Sequence, residues 1–186
     1  MELARKHQSE ALAAHLRALR TERGMTLQQL ADQSGVSRAT LSRIENDDVS
    51  PTAETLGRLA SALVLPISRL LAPMEHDFPP LVRVDAQSVW RDPETGFVRR
   101  SLSPPSRQLA IELIEGDLPP RTRIAYDAPA VPAQEHHLVM LSGALSVTVD
   151  GVGHDLQAGD CLRYKLQGPS VFLTGDQGAR YMIALF

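Results

Sequence analysis

Residues 26–46 read TLQQLADQSGVSRATLSRIEN, and this stretch decides the fold of the first part of the chain. Thr26 and Gln29 have the spacing of a capping box, which predicts that a helix begins directly after Thr26. Gly35 can adopt the positive φ needed to leave that helix, and Ser37 is a good N-cap for the next one. Apolar residues recur at helical spacing on both sides of the glycine. The stretch therefore predicts two short helices joined by a tight turn.

Three more helices are expected around this pair. Leucine and alanine recur at helical spacing before it, as far as Gly24, and after it, as far as Leu71. We expect Ser50-Pro51 to open the fourth helix, because the missing N–H of proline costs least in the first helical turn. Pro66 is expected to open a short fifth helix. The first part of the chain is therefore predicted to be a five-helix bundle.

The pattern changes after Leu81, where short alternating and β-branched runs replace the helical spacing. Apolar residues occupy every second position over 109–113 and over 145–149. An apolar run over 138–141 ends at Ser142-Gly143. The Asp-Gly pair at 150–151 is a hairpin signal. Many short strands with turns at regular spacing predict a closed antiparallel barrel or jelly roll.

A proline-rich stretch separates the two parts. Prolines lock φ and lack an amide donor, so they suit a semi-rigid connection. We predict a helical domain over residues 8–73, a linker over 74–80 and a β-barrel domain over 81–186. A length of 186 residues is compatible with two small domains.

Composition narrows the class of protein. No apolar run approaches the roughly 18–20 residues of a membrane span, and one cysteine, Cys161, cannot form an intramolecular disulfide. These features predict a cytoplasmic protein without a membrane segment. The net charge of −3 argues mildly against nucleic-acid binding, although an operator needs only a local basic face.

Residues 16–71 resemble the lambda-repressor-like DNA-binding domain of the xenobiotic-response-element (XRE) type. The segments that carry the resemblance are 26–31, 35–37, 41–46 and 50–51. The chain departs from the family between the fourth and fifth helices, where Val64 and Pro66 occupy positions at which the family often has Gly and Ser. That departure concerns the turn there and leaves the predicted DNA-reading helices unchanged.

The resemblance implies that the third helix enters the major groove of an operator. Arg38 and Arg43 are the predicted base readers, because arginine can donate two hydrogen bonds to guanine. Helix N-termini and short polar side chains suit phosphates instead. The predicted DNA-contacting residues are Thr26, Gln28, Ser37, Arg38, Ala39, Thr40, Ser42, Arg43 and Asn46. Such domains usually bind pseudo-palindromes, which implies a homodimer; the alternative is a helical bundle whose arginines are merely solvated.

Residues 136–172 resemble the conserved barrel of the cupin superfamily. Residues 141–149 look like the end of the first cupin motif, and 157–160 look like the second, with Gln157 where proline is usual. A wider segment that includes 90–96 resembles regulators in which a helix-turn-helix domain is fused to a cupin. The resemblance implies a jelly-roll barrel in the second part of the chain.

Many cupins bind a metal through His-x-His, a glutamate and a later histidine. In this sequence those positions hold Ala130, Pro132, His136 and Ser170. His137 does not restore the site, because adjacent strand residues point to opposite faces. A catalytic transition metal needs about three protein ligands, so we expect no metal, no cofactor and no enzyme activity.

A barrel without a metal still offers a cavity for one small molecule. His136, Leu138 and Met140 share one strand face, which we expect to point inward, although a purely structural role for His136 stays open. Of the neighbours Arg163 and Tyr164, at most one can face the cavity. The predicted ligand-binding residues are Tyr126, His136, Leu138, Met140, Arg163, Tyr164 and Ser170.

These features together favour a sequence-specific transcriptional regulator whose barrel senses a small effector. One alternative is a metal-dependent cupin enzyme with an accessory DNA-binding domain, which stoichiometric metal in the purified protein would support. Another is an antitoxin-type DNA-binding interaction protein, which a neighbouring toxin gene would support. The sequence indicates neither the effector nor the direction of regulation.

Overall fold

The computed structural model describes residues 2–71, 79–106 and 108–186. Within these residues the helices are α1 (Glu2–Glu22), α2 (Leu27–Ser34), α3 (Arg38–Glu45), α4 (Ala53–Leu63) and α5 (Ile67–Leu71). The strands are β1 (Val89–Arg91), β2 (Val98–Ser103), β3 (Glu112–Leu118), β4 (Arg123–Tyr126), β5 (Gln134–Val149), β6 (Val152–Gln157), β7 (Cys161–Leu166), β8 (Ser170–Leu173) and β9 (Ala179–Leu185). The predicted fold class, a five-helix bundle followed by an antiparallel β-barrel, is confirmed: the five helices precede a curled antiparallel sheet. Most of the predicted linker, residues 74–78, lies outside the described residues.

Local side-chain contacts define the α2–α3 pair. Thr26 Oγ1 accepts from the N–H of Gln29 at 3.1 Å, and the Thr26 N–H donates to Gln29 Oε1 at 2.8 Å. Gly35 ends α2 with φ at 67°. Ser37 Oγ accepts from the N–H of Thr40 at 3.1 Å and so begins α3. The capping box, the glycine turn and the second N-cap predicted from the sequence are all confirmed.

The start of α4 differs from the prediction. The helix begins at Ala53, and its N-cap is Thr52, whose Oγ1 accepts from the N–H of Thr55 at 3.2 Å. The N–H of Ala53 donates instead to Oδ2 of Asp92, at 2.6 Å. Asp92 directly follows β1, so a carboxylate from the second part of the chain caps a helix of the first part. The Ser50-Pro51 signal therefore precedes the helix without being its cap.

The long strand β5 (Gln134–Val149) organises the barrel. Its first half pairs with β7 and β9, and its second half pairs with β6 and β8. The apolar run that ends at Ser142-Gly143 does not end the strand, which continues through these residues with a register shift between Met140 and Ser142. Gly143 has φ at 78°, and a Cβ there would collide with the carbonyl oxygen of Gly178. The glycine thus serves a bulge where β9 approaches closely, and it is not part of a turn.

Two other strand signals have different outcomes. The alternation over 109–114 marks a strand too early, because β3 begins at Glu112 and both Leu109 and Ile111 are exposed. The Asp150-Gly151 hairpin is confirmed, since both residues have positive φ, as a type I′ turn requires. It joins β5 to β6.

The helical part packs against the barrel through α4. A Cβ at Gly57 would lie only 2.5 Å from Cδ1 of Tyr126, so the ring of Tyr126 rests against the helix backbone. Ser61 Oγ also donates to the carbonyl of Pro129 at 3.4 Å. Buried residues of the helices and of the sheet form one hydrophobic cluster. Helix α4 is therefore part of the wall of the barrel as well as part of the bundle.

Val64 lies in the turn at which the chain departs from the XRE pattern, and its backbone conformation there can be tested by substitution. It ends α4 in the left-handed region, with φ at 52°, and its side chain is 66% exposed. An L-residue in this region costs about 1–2 kcal/mol, which glycine avoids at the expense of a more flexible unfolded chain. We expect Val64→Gly to raise the free energy of unfolding by about 0.5–1 kcal/mol, measured by urea denaturation. Val64→Ala keeps the Cβ, so its free energy of unfolding should rise less. A loss of stability in the glycine variant would show that the positive φ at Val64 costs no stability.

Candidate nucleic-acid interface and barrel cavity

Helix α3 has one buried and one exposed side. Leu41 and Ile44 are buried in the core and hold the helix against the bundle. Arg38, Ala39 and Arg43 are exposed on the surface. The packing leaves these three side chains free to contact a partner molecule.

The nine predicted DNA-contacting residues are all accessible at least in part. Thr40 and Ser42 are half-buried, and the other seven are exposed. Within the described part of the chain, neither Arg38 nor Arg43 has an ion-pair partner. Asn46 differs from them, because its Oδ1 accepts a hydrogen bond from Arg17 at 2.7 Å. Contact of Asn46 with DNA would compete with this bond.

The C-terminal end of α3 is fixed by α1. Glu45 is buried, and its two carboxylate oxygens accept from Nε and a terminal nitrogen of Arg20, each at 2.7 Å. This hydrogen bond with Glu45 raises the pKa of the Arg20 guanidinium. Arg17 also donates to the carbonyl of Glu45 at 2.7 Å. A two-pronged arginine–carboxylate contact fixes orientation as well as distance, so α1 sets the position of the helix that carries Arg38 and Arg43.

The barrel encloses a cavity of about 80 Å³. One water molecule needs roughly 10–15 Å³, so the cavity suits a molecule of a few non-hydrogen atoms. Three of its lining residues, Gly57, Pro66 and Ile67, come from the helical part. The apolar wall contributed by the barrel includes Phe97, Ile114, Ile124, Leu166, Phe172, Ile183 and Leu185. The cavity is therefore closed jointly by the sheet and the helices.

Four of the seven predicted ligand-binding residues line this cavity. They are Tyr126, His136, Tyr164 and Ser170.

Three predicted ligand-binding residues are absent from the described cavity wall. Leu138 and Met140 point inward as predicted but are buried in the core. Arg163 is exposed, because alternation along β7 turns it outward when its neighbour Tyr164 faces the cavity. Of these two neighbours, Tyr164 therefore faces the cavity and Arg163 faces away from it.

His136 is neutral at neutral pH. Burial lowers its pKa to about 4, and the positive charge of Arg99 acts in the same direction. Its Nδ1 lies 3.1 Å from the hydroxyl of Tyr164, and its Nε2 lies 3.4 Å from Oε1 of Gln134. A neutral imidazole donates through one nitrogen and accepts through the other. Both ring nitrogens of His136 thus have a partner within the protein, and a ligand that bonds to either one would replace that partner.

Arg99 is the charged residue on the described wall of the cavity. Burial raises the pKa of Tyr126, Tyr164 and Tyr181, so all three phenols stay protonated, and the charge of Arg99 opposes each of these shifts. Arg99 and Tyr181 were not predicted from the sequence. Strand β2 has no apolar alternation that would have marked Arg99 as facing inward.

Three of the positions at which many cupins have metal ligands lie on the cavity wall: Ala130, His136 and Ser170. The fourth, Pro132, is exposed. Over residues 10–71, 79–106 and 108–186, no three His, Cys, Asp or Glu side chains are grouped so that they could hold a metal ion.

The family described as helix-turn-helix matches residues 16–70, which contain α2 and α3. The chain is also 30% identical over 166 residues to the HTH-type transcriptional regulator SutR of Escherichia coli (strain K12), an alignment covering 89% of this chain and 88% of that protein. The chain belongs to the helix-turn-helix transcriptional regulators. The XRE-type resemblance seen in the sequence is thereby confirmed.

Two solved structures share the fold of this regulator over nearly the whole chain. A crystal structure of an HTH_3 family transcriptional regulator from Vibrio cholerae superposes with a TM-score of 0.78 at 24% identity, covering 97% of both chains. The crystal structure of FeII HppE gives a TM-score of 0.50 at 18% identity, covering 96% of this chain and 99% of that one. At these identities the likeness concerns the fold alone. No described helix of the regulator is long and apolar enough to cross a membrane.

The depressed pKa of His136 makes stability depend on pH. Between its ordinary value of 6.5 and about 4, the unfolded chain binds a proton that the folded chain does not. The stabilising contribution of neutral His136 is therefore complete above pH 6.5 and falls as the pH drops toward 4, by up to about 1.4 kcal/mol per unit. Urea denaturation near neutral pH and about two pH units lower should show a larger loss of stability in the wild type than in His136→Gln. Equal losses in the two proteins would refute the assignment.

Proposed function

We propose that this regulator binds a pseudo-palindromic operator as a homodimer through α3, and that a small effector in the barrel cavity changes its affinity for the operator. In this proposal residues 8–73 form the DNA-binding domain and residues 81–186 form the sensor domain. The protein acts in the cytoplasm as a regulator and not as an enzyme. Its relationship to SutR supports the regulatory role.

Exposure and charge on α3 support operator binding. Arg38 and Arg43 are exposed, and no described carboxylate forms an ion pair with either. An unpaired guanidinium can donate two parallel hydrogen bonds to guanine or to a phosphate without first breaking an internal contact. Buried Leu41 and Ile44 keep the helix in place while these side chains reach outward.

One observation carries the proposed coupling: the barrel cavity has a wall made of α4. Gly57 and Tyr126 both line the cavity and touch each other. Helix α4 packs in turn against α2 of the DNA-reading pair. A ligand can shift a conformational equilibrium of the protein only if its contacts differ between the two conformations. An occupant that moves the ring of Tyr126 would make such a difference, because it changes how α4 rests on the barrel.

Operator binding is tested with Arg38→Ala and Arg43→Ala. Loss of a base contact by either variant should weaken binding to the operator by about 1–3 kcal/mol, roughly 5- to 150-fold. The operator is first identified by genome-wide immunoprecipitation, and affinities are then measured by fluorescence anisotropy at one fixed salt concentration. Arg163→Ala, which removes an exposed arginine of the barrel, is the matched control and should bind normally. Unchanged binding by both α3 variants would exclude α3 as the reading helix.

The contact between α4 and the barrel is tested with Gly57→Ala. A new Cβ there meets the ring of Tyr126, and such overpacking typically costs about 1–3 kcal/mol. In a Tyr126→Ala background the ring is gone, so the same change should stabilise the protein by up to about 1 kcal/mol, as alanine does within a helix. Urea denaturation of the double-mutant cycle measures this reversal of sign. Gly153→Ala, at a glycine with open space around it, is the control; additive effects of the two changes would show that Gly57 and Tyr126 do not interact.

A further inference from the structure

A second cavity lies where α1 and α5 face strands β1 and β2. It has a volume of about 470 Å³, within the roughly 300–1,000 Å³ range of small-molecule sites. We call it the helix–sheet crevice, and its described polar lining includes His15, Ser68, Trp90, Arg99 and Ser101. It is much larger than the barrel cavity, and the two meet at Arg99 and Ile114, which line both.

Three residues of the crevice carry buried polar atoms that are not satisfied. In the described part of the chain, Ser68 Oγ, Trp90 Nε1 and Ser101 Oγ have no hydrogen-bond partner. Trp90 is 8% exposed and Ser68 is 4% exposed. A buried polar group without a partner costs about 1–3 kcal/mol, and all three of these atoms belong to residues that line the same crevice. An indole N–H can only donate, and each hydroxyl can donate as well.

The charges around the crevice favour an anion. Arg99 lines it, and its described lining contains neither Asp nor Glu. The side chain of Arg91, next to Trp90 on β1, points to the opposite face and donates to the carbonyl of Gly96 at 3.0 Å. No described carboxylate lies within ion-pair distance of Arg99. Trp90 pairs with Arg99 across β1 and β2, and Ser101 lies two residues further along the same strand. All three side chains therefore project from the same face of the sheet.

We propose that the helix–sheet crevice binds an organic carboxylate with an apolar body. Its carboxylate oxygens accept hydrogen bonds from the donors of Trp90, Arg99 and Ser101, and its body packs against Leu12 and Leu71 of the helices. A ligand in this position would touch the helical part and the sheet together. The site adjoins the effector cavity of the barrel at Arg99 and Ile114, and binding there does not require that cavity to be occupied.

The single tryptophan of the chain makes the crevice observable, because Trp90 is the only source of indole fluorescence. Cyclohexanecarboxylate and hexanoate do not absorb where indole is excited, so they serve as probes, with cyclohexanecarboxamide as the matched neutral compound. We expect a saturable change in Trp90 emission with the two acids, and binding at least about tenfold weaker with the amide. The absence of a saturable response to either acid, or an equal response to acid and amide, would overturn the proposal.

Substitutions of Arg99, Ser101 and Trp90 test whether these side chains hold the carboxylate. Calorimetry should show that Arg99→Gln loses most of the affinity for cyclohexanecarboxylate. Ser101→Ala and Trp90→Phe, which each remove one donor, should weaken it several-fold. Urea denaturation checks that each variant is folded. Tyr164 lines the barrel cavity but not the crevice, so Tyr164→Phe should leave the affinity unchanged. A loss there as large as in Ser101→Ala would place the probe in the barrel and refute the crevice site.

Discussion

The carboxylate of Asp92 is the contact on which the relation between the helices and the barrel depends. It is only 2% exposed, and it accepts hydrogen bonds from the N–H groups of Ala53, Glu94 and Thr95 at 2.6–2.8 Å. A buried carboxylate without such donors would cost several kcal/mol, whereas one at a helix N-terminus also meets the positive end of the helix dipole. The contact therefore fixes where α4 begins and holds that helix on the barrel.

Different contacts hold the α2–α3 pair together and connect the helical part to the barrel. The α2–α3 pair is held by its own caps and by the Arg20–Glu45 contact, all of which lie within the helical part. The barrel reaches the bundle through α4, which rests on Tyr126. In the coupling proposed above, an event in the barrel would therefore move the α2–α3 pair as a unit, while the geometry within the pair stays the same.

The sequence predicted best where a structure depends on nearby residues. The caps at Thr26 and Ser37 and the turn at Asp150-Gly151 involve partners within a few positions, so their spacing is visible in the chain. Arg99 was missed because its inward direction depends on pairing with strands far away in sequence. Alternation placed Leu138 and Met140 on the inward face of their strand, but it does not show whether such a face meets a cavity or packed side chains.

The continuity of β5 has a consequence for how the chain folds. One strand belongs to four ladders, and the strand β9 that pairs with its first half is separated from it by more than thirty residues. Closing such distant pairings is slow compared with forming adjacent helices. During synthesis the helical bundle can fold as soon as it leaves the ribosome, while the edge of β5 that pairs with β9 stays unpaired until β9 has been made. In the interval that edge is open to pairing with other chains, so conditions that slow translation late in the message should increase aggregation of the nascent protein.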